Sequence, residues 1–208
     1  MRLAVLGATG RTGRPLVEQA LAAGHSVTAL ARTPSKLGTE HPALTVVQGD
    51  AARREDVARV VEGADAVLLT LGHTKTSSRD VLAKAAENVV AAMKTHGVRR
   101  VVTETGAGVE DPRDPPGLAP RLVRGVMRLV AGDLLEDSER HVRTFRESGL
   151  DWTAVRAPRL TEGPRTGDYQ TGYFAMGPGE SVSRADVADY MLRLASSQEE
   201  AGGAPMIK

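Results

Sequence analysis

Glycines at positions 7, 10 and 13, in the run Gly7-Ala8-Thr9-Gly10-Arg11-Thr12-Gly13, have the spacing in this chain that points most directly to chemistry. The apolar run Leu3–Leu6 precedes them, as a buried strand would. Arg14–Leu21 follows, with apolar residues at 17, 20 and 21 on one helical face and Gly24 as a stop. Between a strand and a helix, Gly7 permits a tight turn, Gly10 lets backbone approach a pyrophosphate, and Gly13 lets helix and strand pack closely. The helix N-terminus then offers unpaired N–H groups to the phosphates. The plain alternative is a glycine-rich turn with no ligand.

A dinucleotide site of this kind places an acid roughly 20 residues after the loop when the ribose carries a free 2′-hydroxyl. This chain has Arg32 and Lys36 in that neighbourhood, with hydroxyls on Thr33 and Ser35 and no carboxylate. Two cations beside the ribose suit a 2′-phosphate and favour NADP(H), with Arg11 as a third candidate. An ordinary exposed basic turn is the competing reading.

Groups for proton transfer are sparse. None of Tyr169, Tyr173 and Tyr190 has a Lys four residues on, so the Tyr/Lys acid pair of short-chain dehydrogenases is missing. The histidines form no metal cluster by spacing, and His73 alone falls where the cofactor would lie. Glu104 lies near the end of a strand where a reacting group could sit, although a lone carboxylate there is more often a solvated or hydrogen-bonded loop residue than a general acid. Three of the six aromatic residues, Tyr169, Tyr173 and Phe174, cluster late in the chain. They are candidates to stack on a planar substrate, or else to pack on a sheet edge.

These residues need a scaffold, and the pattern supplies one. Val27–Ala31, Leu44–Val47, Ala66–Leu71, Arg100–Thr103 and Trp152–Arg156 read as further strands. Helical segments run from about Arg54 to Val61, Ser78 to His96 (Ser78 as cap), Arg121 to Val130, Leu134 to Glu147, and Arg184 to Ser196. Ser183 caps the last of these, with Asp186 at its third position. Regular alternation predicts an α/β fold, a Rossmann-type doubly wound parallel sheet flanked by helices. Ligands in such sheets bind beyond the carboxyl ends of the strands, where Gly7–Gly13, Arg32–Lys36, Asp50, Leu71–His73 and Glu104–Gly108 gather. A proline-rich stretch, Pro112–Pro120, would lie over that rim as a lid or an excursion. Residues 159–182, with a Gly/Pro-rich loop and hairpin at 164–179, form a small substrate-side excursion, and Pro205–Ile207 a short terminal strand.

The 208 residues fit a single domain, 1–208. Charges balance, with 27 Lys plus Arg against 26 Asp plus Glu, so nothing points to nucleic acid or a membrane surface. With no Cys, no apolar run long enough to span a bilayer and no leader-like start, the expectation is a cytoplasmic monomer or small homo-oligomer acting on a small molecule.

Gly7–Gly13, Ala66–Gly72, Asn88–Val98, Arg146–Leu150 and Thr166–Tyr169, in this order, resemble the atypical short-chain dehydrogenases/reductases. Within that NmrA-like superfamily the chain is most similar to the biliverdin-IXβ reductases, also called NADPH-dependent flavin reductases. The resemblance implies direct hydride transfer from NADPH to flavin, biliverdin or a similar acceptor. It further implies that Gly7, Thr9, Gly10, Thr12 and Gly13 hold the pyrophosphate, and Arg32 and Lys36 the 2′-phosphate. Asp50 and Ala51 would border the adenine; Leu71 and Gly72, with Pro158, would line the nicotinamide side. Two positions depart from the family: Gly106 replaces a serine and Arg159 a histidine. Without those polar groups biliverdin is the poorer acceptor, while flavin or quinone can draw its proton from solvent. Thr105 and Arg159 are then the nearest polar groups to orient a planar acceptor. A non-catalytic NADP(H)-sensing regulator of the NmrA type is the alternative reading.

Overall fold

Leu3, Val5, Ala4 and Leu6 are all buried, yet they belong to two different cores. Alternating side chains of one strand point to opposite faces, so a strand apolar at every position must be covered on both sides. The computed structural model shows that arrangement. It describes the chain except residues 75, 76, 117, 176 and 178 and the side chains of 118–130.

Strands β1 (Arg2–Leu6), β2 (Ser26–Ala31), β3 (Leu44–Gln48), β4 (Ala66–Leu69), β5 (Arg100–Gly106) and β6 (Asp151–Ala157) run parallel in the order β3-β2-β1-β4-β5-β6. Helices α1 (Gly13–Ala22) and α5 (Arg184–Ala195) cover one face, where Leu16, Val17, Tyr190 and Met191 meet Leu3, Val102 and Val155. On the other, α2 (Arg54–Val61), α3 (Val81–His96) and α4 (Leu118–Arg146) bury Val57, Val89, Met93 and Phe145 against Ala4, Val67 and Val101. The Rossmann-type α/β expectation holds. Among the described residues no helix is long and apolar enough to cross a membrane.

Several local expectations are corrected. Strand β4 stops at Leu69, so Thr70 and Leu71 already belong to the rim. Ser78 does not cap α3, which begins at Val81. The carboxylate of Asp137, on α4, takes that role by accepting from Leu82 N (3.0 Å) and Ala83 N (3.1 Å). A partner distant in sequence thus satisfies the free N–H groups of the first turn. The two helices expected at 121–147 do form: the run Leu118–Arg146 is broken at Ala131, whose backbone is non-helical (φ −144°, ψ 39°). Among the described residues of 164–179 no local hairpin is found. Strand β8 (Thr171–Gly172) pairs antiparallel with β10 (Met206–Ile207), which itself extends the sheet beside β6. Strand β7 (Arg159–Thr161) pairs instead with β9 (Ser181–Ser183). Ser183 does cap α5, its Oγ accepting from Asp186 N at 2.9 Å.

Candidate cofactor site

The loops at the carboxyl ends of β1 to β4, with the start of α3, enclose a cleft of about 600 Å³. Its floor is the glycine loop. Gly7 has φ +87°, and a Cβ there would lie 2.6 Å from the Thr70 carbonyl oxygen. At Gly13 a Cβ would fall 2.1 Å from Gly7 O, so no other residue fits between helix and turn. Gly10 N closes the turn on Gly7 O at 2.8 Å. Thr12 sits at the N-cap of α1 without capping it. Its Oγ1 instead donates to Glu104 Oε1 at 3.2 Å, leaving the helix end to an anion.

Gly7, Thr9, Gly10, Arg32, Thr33, Lys36, Asp50, Ala51, Leu71 and Gly72 all line this cleft. Asp50 and Ala51 are braced: Asp50 N donates to Asp56 Oδ2 (2.9 Å) and Asn88 Nδ2 to Ala51 O (3.0 Å). Thr70, Thr74, Ser77, Ser78 and Val81 also line it, although the sequence reading had not assigned them to the site. The early end of β4 is what releases Thr70 and the segment after it to the rim. Thr12 and Gly13 are buried behind the wall, while Arg11 is exposed and pairs with Glu162 (3.2 Å).

His73 turns away from the cleft. Its Nε2 lies 2.9 Å from Asp137 Oδ2, the carboxylate that also caps α3. That dyad ties the rim segment 71–74 to α4. Deeper on the same face His141 is fully buried, and burial holds its imidazole below the ordinary value. Leu82 O can only accept, so His141 Nδ1 donates to it (2.9 Å) and Nε2 accepts the Thr103 hydroxyl (2.7 Å).

Thr105 and Glu104 project to opposite faces at the end of β5. The Thr105 Oγ1 is buried and has no hydrogen-bond partner. Of the two expectations for Glu104, solvated or hydrogen-bonded, the second holds: packed protein encloses its carboxyl, which accepts the Thr12 hydroxyl, although the residue as a whole keeps some exposure. Burial pushes that carboxyl up to about 7, opposed by the Thr12 hydroxyl and the Arg184 guanidinium. Pro158 follows β6, and Arg159, exposed, opens β7; neither lines the cleft.

The aromatic trio is not brought to the cleft. Tyr169 Oη donates to Asp189 Oδ2 on α5 (2.6 Å), and Tyr173 Oη to Glu200 Oε2 (2.8 Å) beneath the Arg113 guanidinium. Phe174 lies against Lys208. The cause is topological: β10 recruits β8 to the sheet edge and carries 169–174 with it. The segment after β5 is anchored too. Fully buried Arg156 donates to Val109 O (2.7 Å), Asp114 Oδ2 (2.6 Å) and Ala204 O (2.6 Å), so residues 109–114 are held to the sheet.

A doubly wound sheet with a glycine loop, an uncapped helix N-terminus and a cleft across its carboxyl edge defines a dinucleotide-binding α/β protein. Residues 7–198 match the NAD(P)H-binding family, and the chain belongs to it. The cofactor is therefore a nicotinamide dinucleotide, which the cleft's donors fit. Over 113 residues the chain is 37% identical to a 3-beta-hydroxysteroid dehydrogenase of Mycolicibacterium neoaurum, covering 49% of this chain and 31% of that protein. Its fold matches ChuY, an anaerobillin reductase of Escherichia coli O157:H7 (TM-score 0.80, 21% identity, 100% of this chain and 96% of the other). It also matches a short-chain dehydrogenase/reductase of Veillonella parvula in complex with NADP (TM-score 0.80, 19% identity, 99% and 93%). The match spans between 31% and 42% of the length of three curated relatives, the hydroxysteroid dehydrogenase included.

Proposed function

We propose that the chain is an NADPH-dependent reductase whose acceptor is a flavin, a quinone or a related planar molecule. The observation that carries this reading is the cleft itself. It runs from Arg32 and Lys36 past the glycine loop to Gly72 and Val81, with no Tyr/Lys pair in the sequence to protonate an alcohol oxygen. NADPH, when bound, supplies a hydride.

The chain's own part is to hold and to exclude. Arg32 and Lys36 take the 2′-phosphate, with Thr33 as a further donor. The backbone of Gly7–Gly13 and the end of α1 take the pyrophosphate; Asp50 and Ala51 border the adenine. Leu71 and Gly72 form the nicotinamide wall, which His73 steadies through Asp137. Thr105 and Arg159 are the polar groups left to orient an acceptor, and solvent supplies its proton. Tyr169, Tyr173 and Phe174 have no part in this reading, because their polar or cationic partners lie on α5 and the C-terminal segment.

The test is NADPH oxidation by purified protein with and without FMN, riboflavin or a small quinone, with NADH beside each. Acceptor-dependent oxidation favouring NADPH is expected. Clear cofactor binding by calorimetry with no turnover on any acceptor would refute the reductase and leave the NmrA-type sensor.

A further inference from the structure

Many arginines in this fold sit beside a carboxylate. Arg2, Arg11, Arg59, Arg79, Arg99, Arg113, Arg156, Arg165 and Arg184 each have a carboxylate within 4.0 Å. Arg14, Arg32 and Lys36 are among the described cations with no carboxylate that close, and these three gather at one short turn. That turn is a single 3₁₀ element, Pro34–Lys36, after β2. It is closed by Lys36 N on Thr33 O (3.1 Å) and Leu37 N on Pro34 O (3.0 Å), and pinned from below by buried Leu37. Its other fastening comes from α1: Arg14 Nη2 donates to Lys36 O at 2.8 Å. The same residue starts from the glycine loop, its own N–H bonded to Gly10 O at 3.0 Å.

We propose that Arg14 is a specificity-determining positioning residue of the 2′-phosphate subsite. It locks the turn that presents Arg32 and Lys36 and adds a third cation to the field the phosphate meets. Three like charges around one turn repel one another, and a bound dianion reverses the sign of that interaction. One guanidinium N–H holds the Lys36 carbonyl, which keeps the remaining donors and the charge beside the turn that carries Arg32 and Lys36. A 2′-hydroxyl in the phosphate's place gains little from this, so Arg14 acts on the choice between NADPH and NADH. The inference rests on the proposed NADPH preference.

The experiment compares Arg14→Gln and Arg14→Ala with Arg32→Ala. Affinities for NADPH, NADH, 2′,5′-ADP and 5′-ADP are read by calorimetry, and a thermal melt of each variant confirms folding. Losing one charged hydrogen-bonding partner predicts that both Arg14 variants weaken NADPH and 2′,5′-ADP about tenfold, with NADH and 5′-ADP held within about twofold. Equal weakening of all four ligands, or no weakening of any, would overturn the role of Arg14. If Arg32→Ala also leaves the NADPH-to-NADH ratio unchanged, the NADPH reading itself has failed. If Arg32→Ala collapses the ratio and the Arg14 variants do not, the failure is Arg14's alone.

Discussion

Glu104 makes the stability of this protein depend on pH in a direction opposite to that of most carboxylates. Its carboxyl is enclosed at the end of β5 and pushed up to about 7 from an ordinary 4.5, chiefly by burial. In the unfolded chain the group ionises near the ordinary value. Between about pH 4.5 and 7 the native protein therefore holds a proton that the unfolded chain has lost. Unfolding releases that proton, so stability falls as pH rises across this window and levels off above it. At about 1.4 kcal/mol per pH unit, the interval between the two values corresponds to about 3 kcal/mol. Glu104→Gln keeps the shape and an oxygen for the Thr12 hydroxyl but cannot ionise. The variant should match wild type below about pH 4 and exceed it by about 3 kcal/mol near pH 8. Urea denaturation of both proteins at intervals of pH, with unchanged m-values, measures the gap directly. Taking the difference between the two proteins cancels every other titrating group. A gap that stays constant with pH, or a variant less stable near pH 8, would refute the assignment of a buried, neutral Glu104.

Other substitutions test other parts of the site. Gly13→Ala puts a methyl where only 2.1 Å separates it from Gly7 O; cofactor affinity should drop at least about tenfold and the melting temperature should fall, because helix and loop must part. Asp137→Asn removes the charge that caps α3 and pairs with His73, and should cost about 1–2 kcal/mol in chemical denaturation. Unchanged stability would mean that water serves those N–H groups equally well. Thr105→Val removes a buried hydroxyl with no partner, so the ligand-free protein should be as stable or slightly more so. If Thr105 orients the acceptor, the same variant loses acceptor-dependent turnover while NADPH affinity stays the same.

The framework of the molecule was legible because its signals are local. Apolar runs of four to six residues between glycine turns imply a sheet covered on both faces, and β1 to β6 lie where those runs placed them. The glycine loop and the basic turn after β2 were legible for the same reason, since their chemistry lies within a few residues. What stayed hidden depends on which distant segments meet. Asp137 lies 55 residues from the amide of Leu82 that it caps, and no pattern around Ser78 reveals the substitution. Glu104 becomes a buried acid only when α1 and α5 close over that face of β5. The aromatic trio looked like a stacking platform because its spacing is tight. Its fate was decided by β10, residues 206–207, entering the sheet beside β8.

The shared carboxylate of Asp137 has a consequence for motion. It binds two amides of α3 and the ring of His73, while His141, one helical turn further along α4, holds Leu82 O and the Thr103 hydroxyl. Lifting that half of α4 breaks all of these at once, so α3's first turn and the cleft wall at 71–74 open as one cooperative unit. Hydrogen exchange at the Leu82 and Ala83 amides reports that opening. A cofactor that requires the wall in place slows their exchange by the factor 1 + [L]/Kd, although it touches neither amide. Two protected amides on the back of the cleft thus become a readout of occupancy at its front.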